Sequence, residues 1–416
     1  MTKDVIALLL AGGVGSRLNI LAGHRAKPAI PFAAIYRIID FTLSNIALSD
    51  IDVVGVLTQY KPLSLMEHID NGRPWDLSGR TRQVEILPPK TGEESSDWYK
   101  GTSDAVYQNL GFIETFSPDV ILIVSGDHIY HMNYNEVIRF HREHKAAATV
   151  CLIEVPRQTA HHFGIAEVNA ESVITRWIEK PQKPRSNLAS MGIYIFDTGI
   201  LSQSLRRVAA EKGTDFARNV IPHMIKTDRV CGYRFAGYWR DVGTIDAYWR
   251  ANMDVFNERS GLDIASWSVK TNQSIRGEIG DRPPSYIGKT ARISSSLFGR
   301  GCIIEGTVTH SVLSPGVRVG AGAVVANSIV FHDTVISEQV TIEKSIIDKE
   351  VRIESSTRIG QGTSTENKKF PDHLSSGITV IGKRARIVSR TTIGKNCIVF
   401  PEVTVTRNVR SGDTVC

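Results

Sequence analysis

The stretch VIALLLAGGVGSR occupies residues 5–17 and decides the fold of the first part of the chain. An apolar segment, Val5–Leu10, runs directly into three glycines, and Arg17 follows them. This pattern is typical of a buried strand that ends in a tight loop, whose backbone N–H groups and guanidinium can face a polyphosphate. Glycine-rich loops are also common as plain turns, so the stretch alone predicts a strand and a loop but no activity.

Apolar segments alternate with helical periodicity over residues 5–257. We predict strands at Val53–Leu57, Val120–Val124, Ala148–Ile153 and Ser172–Ile178, and a helix at Tyr134–His144. Such alternation predicts an α/β domain with a Rossmann-like mixed sheet, in which ligands bind at the carboxyl ends of strands.

A different period governs the C-terminal part of the chain. Tripeptides of serine and two aliphatic residues recur at 311–313, 328–330 and 345–347, which is a step of seventeen residues. Further on, aliphatic residues follow one another every sixth position: Ile381, Ile387, Ile393, Val399 and Val405. This is the hexapeptide signature of a left-handed parallel β-helix, and agreement at several positions favours it over a β-sandwich. Residues 362–376 interrupt the repeats and are predicted to form an inserted loop.

These patterns divide the chain into an α/β domain at residues 1–257, a linker at 258–284 and a β-helix at 285–416. The chain has 416 residues, 42% of them apolar, and a net charge of +6 without a block of like charges, which argues against a nucleic-acid partner. The apolar run Val5–Ala11 is too short for a membrane span or a secretory signal. Five scattered cysteines argue against a disulfide framework and a zinc site, so we expect a cytoplasmic protein.

Four further motifs follow the glycine loop in a fixed order. They are Arg25-Ala26-Lys27-Pro28-Ala29, Gly126-Asp127-His128, Glu179-Lys180-Pro181 and Trp239-Arg240-Asp241-Val242-Gly243-Thr244. This series resembles the sugar-nucleotide pyrophosphorylases and, most closely, the bacterial ADP-glucose pyrophosphorylases (glucose-1-phosphate adenylyltransferases). The resemblance covers nearly the whole chain, and it implies a nucleotidyltransferase domain followed by a β-helix.

The resemblance implies that ATP and glucose 1-phosphate react to ADP-glucose and pyrophosphate, for glycogen biosynthesis, with Mg²⁺ as cofactor. It also implies a homotetramer regulated by anionic metabolites. The catalytic residues that it implies are Arg17, Lys27, Asp127, Lys180 and Asp241, with Asp127 and Asp241 as metal ligands. The implied nucleotide-binding residues are Leu10, Ala11, Gly12, Gly13, Gly15, Arg17, Lys27, Trp98, Tyr99, Gly101 and Thr102. The implied sugar-phosphate residues are Gly164, Glu179, Lys180 and Ser190, and the implied allosteric residues are His24, Arg25, Arg37, Gln59, Lys383 and Arg384.

The residue types by themselves leave other interpretations open. Arg17 and Lys27 could be solvated surface charges. Each aspartate could cap a helix instead of holding a hard cation, with Asp241 preceding a helix predicted near Thr244. The aromatic pair at Trp98 could belong to the core.

This sequence differs from the family pattern at several positions, and these differences reduce the positive charge where the family binds effectors. Val14 replaces a basic residue in the glycine loop, Ala33-Ala34-Ile35 replaces Gly-Gly-Lys, and His24 stands where lysine is frequent. Alternative functions are a non-catalytic regulatory subunit, a pyrophosphorylase for another nucleotide or sugar, and an acyltransferase built on the β-helix. All five charged catalytic positions are retained, which favours an active enzyme.

Overall fold

The computed structural model describes residues 4–89, 98–273 and 282–416. Part of the predicted linker, residues 274–281, therefore lies outside the described residues, and the predicted boundaries of the linker stay a prediction. The chain divides into two compact units, which are described one at a time. The first unit comprises Met1–Gly13, Phe41–Pro62 and Ile69–Trp239, and the second comprises Val14–Asp40, Leu63–His68 and Arg240–Cys416.

The strands that precede the repeats are β1 (Val5–Leu10), β2 (Pro31–Phe32), β3 (Tyr36–Arg37), β4 (Val53–Leu57), β5 (Gln83–Leu87), β6 (Val120–Ser125), β7 (His128–Tyr130), β8 (Ala148–Glu154), β9 (Gly164–Val168), β10 (Ile174–Glu179), β11 (Leu188–Asp197), β12 (Val230–Arg234) and β13 (Trp239–Asp241). The α-helices are α1 (Ile38–Leu48), α2 (Leu63–Ile69), α3 (Thr102–Gln108), α4 (Leu110–Phe116), α5 (Tyr134–Glu143), α6 (Thr198–Ala210), α7 (Ile221–Thr227) and α8 (Ile245–Met253). The predicted strands and the predicted helix are all present. Their ends differ by at most one residue, except that β10 begins at Ile174 and not at Ser172.

The first unit contains a nine-stranded mixed sheet. Seven strands follow the order β10-β9-β11-β6-β1-β4-β5, while β8 pairs with β11 and β12 pairs with β8. Strand β1 runs parallel to β4 and β6, whereas β11 runs antiparallel to β6, β8 and β9. The central strands are apolar throughout because both of their faces are buried. The prediction of a mixed α/β sheet is therefore confirmed.

The second unit contains the repeats, which form a parallel β-helix as predicted. Its strands are β14 (Tyr286–Ile287), β15 (Arg292–Ser294), β16 (Leu297–Phe298), β17 (Ile303–Ile304), β18 (Thr307–Thr309), β19 (Val312–Leu313), β20 (Arg318–Val319), β21 (Val324–Ala326), β22 (Ile329–Val330), β23 (Val335–Ile336), β24 (Thr341–Glu343), β25 (Ser345–Ile347), β26 (Arg352–Ile353), β27 (Arg358–Gln361), β28 (Thr379–Ile381), β29 (Arg386–Ile387), β30 (Thr392–Gly394), β31 (Ile398–Val399), β32 (Thr404–Val405) and β33 (Thr414–Val415). They form three parallel sheets, and from β14 to β32 every third strand along the chain falls in the same sheet, while β33 pairs with β31.

The observed pairing explains both periods of the sequence. Val312 pairs with Ile329, which pairs with Ile346, so a step of seventeen residues is one coil. The step of six residues moves from one sheet to the next, as from Ile381 in β28 to Ile387 in β29. The aliphatic side chains of successive coils stack into a continuous buried core. Strand β27 ends at Gln361 and β28 begins at Thr379, so the insertion lies where the sequence predicts it.

The second unit also contains the Val14–Asp40 segment, which carries two of the predicted catalytic residues. Two short 3₁₀ helices, Ser16–Ala22 and Lys27–Ala29, precede the hairpin of β2 and β3. The turn of this hairpin places Ala33 and Ala34 at φ values of 45° and 70°, in the left-handed region that favours glycine. The turn therefore has backbone angles that glycine adopts most easily, although alanines occupy both positions.

Within the described parts of the chain, no helix combines the length and the apolar character that crossing a bilayer requires.

Candidate active site

The glycine loop begins where β1 ends, and neighbouring strands hold it in place. Ala11 N donates to Leu57 O at 2.9 Å, and Gly126 N donates to Leu10 O at 3.0 Å. A Cβ atom at Gly12 would lie only 3.2 Å from the Cβ atom of Gln59. The loop therefore lies at the carboxyl edge of the sheet, where open α/β sheets bind their ligands.

The same glutamine holds the predicted nucleotide segment. Gln59 Nε2 donates to Tyr99 O at 3.2 Å, and the Tyr99 hydroxyl donates to Leu87 O at 3.0 Å. Tyr99 is buried, and burial raises the pKa of its hydroxyl, whereas Trp98 is 56% exposed. The core interpretation thus fits Tyr99 but not Trp98. The allosteric role of Gln59 stays a prediction; its observed contacts are with the glycine loop and with Tyr99.

Gly101 and Thr102 are anchored by a segment that the sequence did not single out. A Cβ atom at Gly101 would lie 2.4 Å from Thr214 O, so only glycine fits against this backbone. The Thr102 hydroxyl donates to Asp215 Oδ2 at 3.1 Å and accepts from Phe216 N at 3.0 Å. The nucleotide segment is therefore held by the residues around Asp215.

Asp127 lies just beyond the end of β6. It accepts a hydrogen bond from the Ser125 hydroxyl, and its Oδ1 lies 3.5 Å from His128 Nε2. The His128 ring lies against Trp239, with 5.0 Å between the ring centroids. The residues that follow are strand β7 and not a helix. The interpretation of Asp127 as a helix cap is therefore wrong, and its carboxylate is partly exposed. Its role as a metal ligand stays a prediction.

The predicted sugar-phosphate residues lie on three adjoining strands. Glu179 of β10 pairs with Gly164 of β9, and a Cβ atom at Gly164 would lie 2.7 Å from Glu179 Oε2. Lys180 has a left-handed φ of 49°, its N donates to Phe163 O at 3.0 Å, and its Nζ lies 3.7 Å from Glu179 Oε1. Burial raises the pKa of the Glu179 carboxyl, and the Lys180 ammonium only partly opposes this shift.

A bulge in β11 completes this group. The pairing of β11 with β8 shifts between Ser190 and Tyr194, and Gly192 within the bulge has a φ of 70°. Gly192 N donates to Ser190 Oγ at 3.2 Å, and a Cβ atom at Gly192 would lie 3.5 Å from His128 Cε1. The bulge therefore places Gly192 close to both the Ser190 hydroxyl and the His128 ring.

Sequence reasoning missed two residues here. Tyr194 is buried, and its hydroxyl lies 3.5 Å from Ser190 Oγ. Burial raises the pKa of this hydroxyl, and the charges of Asp215 and Glu179 add to that shift. The glycine inside the β11 strand pattern was the available signal, because such a glycine marks a bulge or a close approach. No comparable signal marked Asp215.

Three predicted catalytic residues meet in the second unit. Lys27 Nζ donates to Asp241 Oδ1 at 3.0 Å, and Lys27 is only 5% exposed. A Cβ atom at Gly243 would lie 2.9 Å from Asp241 Oδ1, 3.1 Å from Arg17 Nη2 and 3.2 Å from Lys27 Nζ. Two cations and one carboxylate thus surround Gly243, and a side chain there would have to displace one or more of them. A surface-charge interpretation fits exposed Arg17 but is wrong for buried Lys27.

Asp241 is not the cap of the helix that follows it. Thr244 is the N-cap of α8, and its side chain accepts from Ala247 N at 3.1 Å. The Asp241 carboxylate is directed to Lys27 instead.

The predicted allosteric residues of the second unit fall into buried and exposed groups. Arg25 and Arg37 are each 4% exposed. Arg37 Nη1 donates to Ser64 O and Oγ at 2.8 and 3.0 Å, whereas His24 and Arg384 are exposed.

Glu350 joins the two basic residues of the β-helix. Its Oε2 accepts from Arg384 Nε at 2.7 Å, and its Oε1 lies 3.5 Å from Lys383 Nζ. Burial alone would raise the pKa of Glu350, but Arg384 and Lys383 outweigh it and lower that pKa. The allosteric roles of these residues stay a prediction.

Comparisons with known proteins agree with this geometry. The nucleotidyl transferase family model matches residues 6–258, and the model of the GlmU-like C-terminal hexapeptide matches residues 285–381. A glucose-1-phosphate adenylyltransferase of Acetivibrio thermocellus is 44% identical over 97% of this chain and 94% of its own length. Proteins of the same name from Desulforamulus reducens and Thermosipho africanus are each 42% identical, over 95% and 99% of this chain and over 98% and 100% of their own lengths. The chain belongs to the glucose-1-phosphate adenylyltransferase family.

Proposed function

We propose that this chain transfers the adenylyl group of ATP to α-D-glucose 1-phosphate, giving ADP-glucose and pyrophosphate. The names of its relatives support the substrates. The observation that carries the proposal is the buried Lys27 ammonium, which lies 3.0 Å from Asp241 beside the Arg17 guanidinium. Burying an ammonium is costly, and an arrangement of this kind serves a charged ligand better than it serves stability.

To bind ATP, the chain must hold the triphosphate and neutralise part of its negative charge. Backbone N–H groups of Gly12 and Gly13 supply donors, and Arg17 and Lys27 supply fixed positive charge. Trp98, exposed beside the anchored Tyr99, offers a face for an adenine ring. These residues position the α-phosphorus for attack.

For the sugar substrate, Lys180 binds the phosphate of glucose 1-phosphate. Glu179 and Ser190 form hydrogen bonds with the sugar hydroxyls. A phosphate oxygen of the sugar attacks the α-phosphorus of ATP. The new oxygen–phosphorus bond forms as the bond to the β-phosphate oxygen breaks, and pyrophosphate leaves with the electron pair. No covalent enzyme intermediate is needed, because positioning and neutralisation of charge account for most of the catalysis of such transfers.

Nucleotidyl transferase family enzymes generally use divalent metal ions, and we propose Mg²⁺ for this chain. Asp127 and Asp241 fit such an ion by chemistry, since both are partly exposed carboxylates and hard cations prefer oxygen ligands. When bound, the ion would neutralise phosphate charge. Lys27 holds the Asp241 carboxylate in one orientation, and Ser125 does the same for Asp127.

We further propose that the protein acts in the cytoplasm as a homotetramer and responds to anionic metabolites. These three statements rest on the family resemblance. The retained set of Arg17, Lys27, Asp127, Lys180 and Asp241 favours a catalytic chain over a non-catalytic regulatory subunit.

The test uses the purified chain alone. Each of ATP, GTP, UTP and dTTP is paired with glucose 1-phosphate, and ATP is also paired with mannose 1-phosphate, while pyrophosphate and the nucleotide sugar are measured. We expect ADP-glucose to be the main product. Lys27→Gln should abolish it, whereas Lys368→Gln, which removes an exposed ammonium 2.6 Å from Asp413 in the β-helix, should not. A preference for another nucleotide or sugar, or no turnover by the chain alone, would contradict the proposal.

A further inference from the structure

A buried ion pair joins the Val14–Asp40 segment to the β-helix. Arg25 Nη2 donates to both carboxylate oxygens of Asp348, at 2.8 and 3.0 Å. Arg25 is 4% exposed and Asp348 is 0% exposed. Asp348 Oδ1 also accepts from Lys349 N at 2.7 Å, which fixes the carboxylate on its coil. The pair therefore ties a position just before Lys27 to the stack of repeats.

The Arg25 guanidinium depends on this carboxylate. Its Nη1 atom is buried and has no hydrogen-bond partner among the described residues. The ring of Phe331 also lies near this guanidinium, with its centroid 5.8 Å from Arg25 Cζ. A guanidinium does not lose its proton in proteins, so removal of Asp348 would leave a buried charge without compensation. We expect the surrounding backbone to move in that case.

A movement of Arg25 would reach Lys27 directly. Only Ala26 separates the two residues, and two residues span at most about 7 Å. Ala26 is 0% exposed, and its carbonyl accepts from Ala29 N at 3.0 Å, so the stretch has little room to absorb a shift. Lys27 Nζ must also stay 3.0 Å from Asp241 Oδ1.

The helix that follows Asp241 also contacts the β-helix. Helix α8 begins four residues after Asp241, and its Trp249 Nε1 donates to Asn327 O of the β-helix at 2.9 Å. Tyr248 meets Phe331 edge to face, with 6.5 Å between the ring centroids, and Lys344 Nζ lies 5.2 Å from the Trp249 ring. Both partners of the Lys27–Asp241 contact are therefore held by neighbouring coils.

We propose that Asp348 is a positioning residue for the nucleotide phosphates, which acts through Arg25 on Lys27. The inference rests on the proposed function for the assignment of Lys27 to these phosphates. It extends the role of the β-helix from assembly to the adenylyl transfer itself. We expect the loss of Asp348 to affect ATP and not glucose 1-phosphate, because Lys180 and Glu179, which bind the sugar phosphate, belong to a different compact unit.

The test compares Asp348→Asn with Asp333→Asn. Asp333 lies in the same β-helix and pairs with Arg282 through two contacts of 2.8 Å and with His332 at 3.0 Å, and among the described residues it makes no hydrogen bond or ion pair with the Val14–Asp40 segment. We expect Asp348→Asn to raise the KM for ATP about tenfold or more, since a small displacement of a binding group has effects of this order. The KM for glucose 1-phosphate should change by less than about threefold, because its contacts are elsewhere. Asp333→Asn should leave both constants unchanged.

A second variant covers the case in which Asp348→Asn does not fold. The double variant Arg25→Gln with Asp348→Asn removes both charges, so no unpaired charge is buried, and its folding is checked by circular dichroism. It should fold and still bind ATP less tightly than the wild type. Wild-type affinity in the folded double variant, or equal losses in Asp348→Asn and Asp333→Asn, would overturn the proposal.

Calorimetric titration with Mg²⁺ and ATP separates this inference from the proposed function. A wild type that binds ATP without making ADP-glucose would contradict the proposed function alone, and the binding comparison would still decide the role of Asp348. If the wild type uses another nucleoside triphosphate, that nucleotide replaces ATP in the same titrations.

Discussion

Two ion pairs of similar length lie in very different surroundings. Lys27 and Asp241 are 3.0 Å apart, and the lysine side chain is only 7% exposed. Arg282 and Asp333 are 2.8 Å apart at a turn of the β-helix, where the aspartate side chain is 38% exposed. The first pair lies beside Gly243 and Arg17, where two cations crowd one carboxylate. The second lies at a partly exposed turn of a repeated coil, where Asp333 Oδ2 also lies 3.0 Å from His332 Nδ1.

The difference separates function from stability. A buried ammonium costs folding free energy even when a carboxylate pairs with it, and an anionic substrate can offset that cost only when it is bound. A partly exposed pair costs little and contributes little, since solvent screens it. We therefore expect substitutions near Gly243 to affect turnover strongly, and substitutions at the turns to affect mainly stability.

The largest effect is expected for the two proposed metal ligands. Asp127→Asn or Asp241→Asn should lower kcat about a thousandfold, because loss of metal-linked charge stabilisation is worth several kcal/mol. Initial rates at saturating Mg²⁺ measure the effect. Removal of divalent ions with a chelator should abolish wild-type activity, and added Mg²⁺ should restore it.

The matched control for this experiment is Asp333→Asn, which makes the same chemical change at a turn of the β-helix. It should keep wild-type turnover. If the two active-site variants are folded by circular dichroism and turn over at nearly the wild-type rate, the metal assignment is wrong and the contrast between the two pairs disappears.

A smaller and more selective effect is expected for the two phosphate-binding cations. Lys180→Gln should raise the KM for glucose 1-phosphate about tenfold with little change for ATP, because a lost contact acts on the substrate that it binds. Arg17→Ala should show the reverse pattern. Each variant serves as the control for the other, and the reverse assignment of KM changes would refute the division of the site.

The sequence predicted features that repeat or that follow strand ends. The step from Ile381 to Ile387 predicted the β-helix, because stacking requires an aliphatic side chain at each turn of the period. The apolar strand before Asp127 predicted where that carboxylate lies. One strand was misplaced by two residues at its start: predicted from Ser172, it begins at Ile174, because Ser172 has a left-handed φ of 63°.

Pairings between distant residues could not be predicted. Lys27 and Asp241 are 214 positions apart, and Arg25 and Asp348 are 323 apart. No period or propensity links such positions, so only the folded chain reveals that Asp348 compensates Arg25. Asp215 was missed for the same reason, since its contact with Thr102 spans 113 positions.

The backbone extends the comparison between buried and exposed sites. Ala34 has a φ of 70° and is 7% exposed, whereas Arg390 of the β-helix has a φ of 63° at an exposed turn. Ala34→Val should lower the free energy of unfolding by about 2 kcal/mol or more, because a branched side chain strains this backbone and overfills its site. Ala34→Gly, the control, should stay within about 1 kcal/mol of the wild type, since the relief of strain offsets the lost methyl. Urea denaturation measures both, and equal stability of the valine and glycine variants would contradict the prediction.

The smallest effect concerns the pH dependence of the Arg282–Asp333 pair. Burial alone would raise the pKa of Asp333, but hydrogen bonds and charge from His332 and Arg282 lower it well below its ordinary value of 3.8. A carboxyl whose pKa is lowered by folding stabilises the protein above its unfolded-state pKa and loses this contribution as the pH falls through its folded-state pKa. Asp333→Asn should therefore reduce stability at neutral pH, by no more than about 1 kcal/mol because the pair is partly exposed. The difference from the wild type should shrink as the pH falls below about 4. Urea titrations of both proteins over this acidic range measure the difference, with Lys368→Gln as a control for general acid effects. A difference that does not shrink below about pH 4 would show that the turn carboxylate does not stabilise the β-helix through its charge.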